Sequence, residues 1–96
     1  MKKILAIDTT VSRKSTVKLI DGKKSTEISG DSLLPIIDKL LKKCHTKIEE
    51  ISEIKINTGP GSYTGLRVGL AAANALSYLL NIPVNNQKKP IFPKYQ

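Results

Sequence analysis

Tryptophan is absent from this 96-residue chain, phenylalanine occurs once and tyrosine three times. So thin an aromatic set argues against a platform on which nucleic-acid bases stack. Arginine is nearly as scarce, with only Arg13 and Arg67 present. Cys44 is the single cysteine, which excludes an internal disulfide. Its place on the apolar stripe of a predicted helix assigns it to packing rather than reactivity. His45, the single histidine, falls at that helix's end, so serine or cysteine hydrolysis has no positioned base. Carboxylates are few and scattered. Asp8 ends a strand, but the other seven acids fall in turns, helices or the start of a strand. A metal-dependent nuclease needs several carboxylates converging at strand ends, and that class is set aside. Long apolar runs are missing too: Asn74, Ser77 and Asn81 interrupt the best candidate for a membrane span. Met1-Lys2-Lys3 leads into a short strand-like run with no cleavage pattern, so the expectation is a cytoplasmic protein without a membrane anchor.

What the chain does have is lysine. Sixteen basic residues oppose eight acidic ones, for a net charge of +8. Such a balance attracts polyanions, RNA above all, although solvated lysine faces on an ordinary globular protein are the commoner source of it. A hydrophobic content of 40% is that of a folded chain. The length allows one small domain with a modest core.

The periodicities give an order of elements. Lys3 to Asp8 reads as a central strand, because Ile4-Leu5-Ala6-Ile7 is apolar on both faces. Thr16 to Ile20 alternates, with Val17 and Leu19 on one side. Asp21-Gly22 predicts a type I′ hairpin turn into a polar edge strand over 23–29. Asp31 or Ser32 caps a first helix with Pro35 in its opening turn. Leu33, Leu34, Ile36, Ile37, Leu40, Leu41 and Cys44 form its apolar stripe, and Lys39, Lys42 and Lys43 lie off it. Residues 48–52 connect to a strand over 53–58, a long helix over 62–80 and a short strand at Ile82-Pro83-Val84. The order β-β-β-α-β-α-β predicts an α/β fold: a mixed five-stranded sheet with two helices on one face. Such an order resembles the ribonuclease-H-like half-domain shared by actin, sugar kinases and Hsp70. Residues 1–84 would form this domain, and 85–96, with Pro90 and Pro93 flanking Ile91-Phe92, an extended tail.

The most informative stretch is Asn57-Thr58-Gly59-Pro60-Gly61-Ser62-Tyr63-Thr64-Gly65-Leu66-Arg67-Val68-Gly69. Gly59-Pro60-Gly61 stops a strand, and Ser62 or Thr64 caps the helix behind it. A glycine turn opening a helix presents N–H groups to an anion, so Gly59, Gly61, Ser62 and Thr64, with Asp8, Thr9 and Thr10, are candidate phosphate binders. Inside the helix, Gly65, Gly69 and Ala73 recur at four-residue spacing. Each glycine there costs roughly 0.5–1 kcal/mol relative to alanine, so the stripe needs a reason. Tight packing within the domain, a partner-binding face and phosphate cradling by the preceding turn all supply one. From Val68 to Gln87 there is no charged residue, so something must cover much of the helix.

Ile4-Leu5-Ala6-Ile7-Asp8-Thr9-Thr10, Leu33-Leu34-Pro35-Ile36-Ile37 and the run from Gly59 to Gly69 together resemble the TsaB (YeaZ) family. Ile82-Pro83-Val84 also falls where that family has its next strand, so the resemblance covers residues 3 to about 84. It implies an actin-like fold and a role in making threonylcarbamoyladenosine on tRNA. In that family TsaB lacks the metal-binding histidines of the catalytic subunit TsaD and serves as its scaffold, joined by the ATPase TsaE. The older label, glycoprotease, implies no protease chemistry. Members usually run to about twice this length. Many also place a histidine just before the first helix, where this chain has Gly30-Asp31-Ser32.

The resemblance therefore implies a non-catalytic subunit, with a TsaD-like subunit, a TsaE-like ATPase and a second copy of the chain as partners. Contact with tRNA would be indirect or through the lysine-rich surface. The expected interface is Leu33, Ile36, Ile37 and Leu40 on the first helix with Gly65, Leu66, Gly69, Ala72, Ala73 and Leu76 on the second, and it would also form a homodimer. No cofactor or metal is expected, ATP with magnesium being possible only at a shared interface. The competing reading is a nucleotide-binding actin-like module with weak or vestigial ATPase activity.

Overall fold

In the computed structural model, which describes residues 2–88 and 90, four strands form one mixed sheet in the order β3-β2-β1-β4. They are β1 (Lys3–Asp8), β2 (Ser15–Asp21), β3 (Lys24–Gly30) and β4 (Glu53–Ile56). The first three make an antiparallel meander, with Leu5 opposite Leu19 and Val17 opposite Ile28. β4 joins β1 in parallel, Leu5 facing Ile54. Helix α1 (Leu33–Lys43) packs on β2 and β3, whereas α2 (Tyr63–Leu80) packs on β4 and β1. Both helices cover the same face, as expected. Ile48–Glu50 is a single 3-10 turn.

Leu5 and Ile7 from β1, Val17 and Leu19 from β2, and Ile54 and Ile56 from β4 point into the core beneath the helices. The helices answer with Leu33, Ile36, Ile37 and Leu40 from α1 and Leu66, Leu70 and Ala73 from α2, all buried. The opposite face of the sheet is open. Ile4 and Ala6 are only half-buried there, so β1 is central in strand order yet covered on one side. Around them Thr16, Lys18 and Glu27 make that face polar, as a solvated antiparallel sheet requires.

The helix ends follow the local chemistry. Ser62 caps α2 by accepting a hydrogen bond from Gly65 N at 3.2 Å. Asn81 ends the helix in the left-handed conformation, and Ile82 N then donates to Ser77 O. Ser32 is the N-cap of α1, but its side chain makes no capping hydrogen bond. His45 adopts φ 52° just after α1, and Thr46 N reaches back to Leu41 O.

Two expectations need correction. Asp21 pairs with Lys24, so Gly22 and Lys23 are the central turn residues, and only Gly22 has positive φ. That is the type II′ pattern, one residue later than the Asp21-Gly22 signal suggested. The fifth strand, Ile82-Pro83-Val84, shrinks to a single bridge between Val84 and Ile54. Asn85 and Asn86 both have positive φ and form a tight turn that pairs Val84 with Gln87, where an extended tail had been expected to begin. The chain therefore leaves β4 after two backbone hydrogen bonds, Ile54 N to Pro83 O and Asn85 N to Ile54 O. The Asn85 side chain continues the job: its amide accepts from Ile56 N at 2.9 Å and donates to Ile56 O at 3.0 Å. A primary amide thus takes the place of the next peptide group. The rest of the expected tail, with Ile91, Phe92 and Tyr95, lies outside the described residues.

Candidate functional site

Two loops meet at the carboxyl ends of β1 and β4, where the parallel pair directs both chains outward. Asn57 N donates to Ile7 O and Ser62 N to Thr10 O, which ties the Asn57–Ser62 loop to Asp8-Thr9-Thr10. Asp8 organises the first loop. Its Oδ1 accepts from Thr10 N at 2.9 Å and from Thr10 Oγ1 at 2.6 Å, and Asn57 Nδ2 donates to its Oδ2 at 3.3 Å. Burial pushes the Asp8 carboxyl pKa up, but these hydrogen bonds and the charge of Lys14 outweigh it and leave it below the ordinary value.

All seven residues expected to bind phosphate thus lie at this junction, but the loops already use much of its donor capacity. Thr10 N is taken by Asp8, Gly59 N by Asn57 Oδ1, Ser62 N by Thr10 O and Gly65 N by Ser62 Oγ. Gly61 closes against Thr10, and a Cβ there would come within 2.7 Å of the Thr10 carbonyl oxygen. Thr9 is buried, and its hydroxyl has no hydrogen-bond partner among the described residues. Among the described residues no three His, Cys, Asp or Glu side chains gather as a metal site would need.

The glycine stripe faces inward. A Cβ at Gly65 would overlap the Thr9 carbonyl oxygen, and one at Gly69 would overlap Thr9 Oγ1 and come within 3.2 Å of Ile56 Cδ1. The small residues let α2 lie directly on the end of β1, which holds the two loops in register. Of the expected interface residues, Leu33, Ile36, Ile37, Leu40, Leu66, Gly69 and Ala73 are buried in the core of this one chain. Gly65, Ala72 and Leu76 remain partly accessible and line a groove between the helices.

That groove encloses about 1130 Å³. It exists because α1 and α2 sit over different strand pairs. Leu33, Leu34 and Pro35 form one wall, and Thr64, Val68, Ala71, Ala75 and Leu79 belong to the other. Leu79 is 75% exposed, Leu34 65%, Val11 59% and Val68 50%. So many apolar side chains in water beside one groove mark a surface built to be covered. The spacing 64-68-71-75-79 is itself a helical stripe, legible in the sequence but masked by the small-residue series beside it.

Comparison with known proteins agrees with this architecture. The family model that matches, over residues 25–86, is described as TsaD: tRNA N6-adenosine threonylcarbamoyltransferase. A tRNA threonylcarbamoyladenosine biosynthesis protein TsaB from Buchnera aphidicola subsp. Baizongia pistaciae is 38% identical over 90 residues, 86% of this chain and 40% of its own. The protein of the same name from Haemophilus influenzae is 31% identical over 87 residues, 84% of this chain and 37% of its own. The solved structure of YeaZ from Pseudomonas aeruginosa superposes with a TM-score of 0.81 at 25% identity, over 88% of this chain and 42% of that one. The chain therefore spans about 40% of the length of relatives it matches. With the glycine-rich run at the strand–helix junction and the actin-like sheet order, these matches show that the chain belongs to the TsaB (YeaZ) family.

Proposed function

We propose that this chain is a non-catalytic scaffold that docks a TsaD-type subunit in the pathway that places threonylcarbamoyladenosine on tRNA. The observation that carries the reading is the apolar groove between α1 and α2, with Val68 and Leu79 exposed on its α2 wall. A second copy of the chain would use the same face, and so would compete with the heterologous partner. The alternative of a nucleotide-binding module has less support, because the N–H groups of Thr10, Gly59, Ser62 and Gly65 already have acceptors within the loops.

Size-exclusion chromatography with light scattering tests this directly. Mixed with a TsaD-type subunit, the wild-type chain should co-elute. Val68→Glu, which puts a charge on the exposed wall without entering the core, should abolish the complex and leave circular dichroism unchanged. Co-elution of Val68→Glu and Leu79→Glu at wild-type levels would overturn the groove as the docking site. Calorimetric titration with ATP and magnesium should give no heat of binding, and a saturable signal would favour the nucleotide reading.

A further inference from the structure

Part of the excess positive charge collects at one end of the sheet, where Asp21 is the acid opposite Lys24. Lys23 lies in the β2–β3 turn, Lys24 opens β3, and Lys39 and Lys43 follow one another by one helical turn on α1. Only two residues link β3 to α1, which folds back over β2 and β3, and Lys3 feels both Cys44 at the end of the helix and Asp21 at the end of β2, so the carboxyl end of α1 lies toward the β2–β3 turn. At roughly 100° per residue, Lys39 and Lys43 lie on the flank of α1 turned away from Leu34, which lines the groove. That flank overhangs β3, the edge strand of the sheet. Neighbouring lysines are neutralised: Lys42 pairs with Asp38, Lys3 with Glu50 and Lys2 with Glu53. Lys23, Lys24, Lys39 and Lys43 have no salt-bridge partner among the described residues.

We infer that this lysine margin, formed by the β2–β3 turn and the outer flank of α1, binds the phosphate backbone of RNA without reading its sequence. Lysine supplies point charge for phosphates, and among the described residues neither arginine nor an aromatic side chain belongs to the turn or to that flank of the helix to read bases. Among the described residues none of the exposed large apolar side chains belongs to the β2–β3 turn or to that flank of α1, which disfavours an anionic lipid surface, where insertion would be needed for lasting attachment. The margin lies on the far side of α1 from the groove, so one chain can hold a protein partner and an RNA at once. The choice of RNA as the polyanion rests on the proposed role in tRNA modification; the charge distribution does not.

Fluorescence anisotropy with an unmodified tRNA transcript, across a salt titration, tests the margin. Four phosphate contacts predict a slope of log affinity against log salt of about −3 to −4. The Lys39→Gln/Lys43→Gln and Lys23→Gln/Lys24→Gln variants should each weaken binding about tenfold at moderate salt and each reduce the slope by about two. Lys18→Gln/Lys55→Gln, on the open sheet face, should bind as the wild type does. Equal losses from all three pairs would mean diffuse attraction and overturn the inference, as would an absence of salt-dependent binding. Tighter binding to anionic vesicles than to RNA would transfer the margin to membranes and overturn it too. Complex formation with the TsaD-type subunit, measured on the same variants, should be intact. Its loss in wild type would refute the scaffold reading and not this one.

Discussion

Alanine at position 69 separates an inward glycine stripe from an outward one. In a helix interior Gly→Ala is worth up to about 1 kcal/mol in favour of the variant. Were Gly69 on a free face, the substitution would stabilise the protein. Here the new methyl overlaps Thr9 Oγ1 and lies 3.2 Å from both Thr9 Cβ and Ile56 Cδ1. One turn earlier Gly65 is already against the Thr9 backbone, so α2 cannot retreat without opening that contact as well. Overpacking of this kind costs about 1–3 kcal/mol. Three contacts tighter than ordinary van der Waals distance put the cost toward the upper end of that range, so the net expectation is a loss of about 1–2 kcal/mol, or a fall in melting temperature on the order of 5–15 °C for a domain of this size. Thr9→Ala removes a buried hydroxyl that has no partner, together with a methyl group, and should change stability by less than about 1 kcal/mol. The double variant should then recover at least about 1 kcal/mol of the Gly69→Ala loss, a coupling only touching side chains produce. With no tryptophan to report, urea unfolding is best followed by far-ultraviolet circular dichroism, at one protein concentration so that association does not shift the midpoint. A Gly69→Ala protein as stable as wild type, or a double variant no better than the single, would refute this packing.

Asp8→Asn should cost about 1 kcal/mol at neutral pH by weakening the hydrogen bonds from Thr10 and Asn57. Because the folded carboxyl pKa is lowered, Asp8 contributes its stability above about pH 4 and loses it as pH falls through the folded value, so the two proteins should converge in denaturant midpoint at acid pH below the ordinary carboxylate range. Asn85→Gly keeps the positive φ but deletes the amide that pairs with Ile56, at a cost of about 1–2 kcal/mol. Hydrogen exchange at the Ile56 amide should speed up in that variant more than at Ile54, whose acceptor is the Pro83 carbonyl. Val68→Glu should leave the melting temperature of the chain within about 2 °C, since the side chain is half in water, while it disrupts partner binding.

The strands and both helices were legible because each carries its own period: alternation in Val17 and Leu19, and a three-to-four repeat from Leu33 to Leu41. The loops at the carboxyl ends of β1 and β4 were legible from glycine and proline chemistry, and all the residues read there do assemble. Direction was not legible. Four-residue spacing puts Gly65, Gly69 and Ala73 on one side of α2, yet only the position of Thr9 shows that this side is the inner one. The same ambiguity hid the groove wall of Val68, Ala71, Ala75 and Leu79, which no polar residue marks out. Nor could Ile82-Pro83-Val84 reveal that it stops at one bridge. Pro83 lacks an N–H, but the deciding event is the turn at Asn85-Asn86, and asparagine pairs signal turns less insistently than glycine does.

The parallel pairing of β1 with β4 bears on the order in which the molecule assembles. Ile4 meets Ile20 across the first hairpin but must wait for residue 53 on its other side. Closing the longer loop costs about 1 kcal/mol more in chain entropy, and the gain arrives only once α1 has crossed over. Loop length therefore predicts a kernel of near neighbours in the meander and α1, to which β4 and α2 would be added last. One wall of the groove belongs to the early kernel and the other to the late addition. A partner seated in the groove would clamp the two together, so occupancy should slow the detachment of β4 and α2 and lengthen the lifetime of the folded chain.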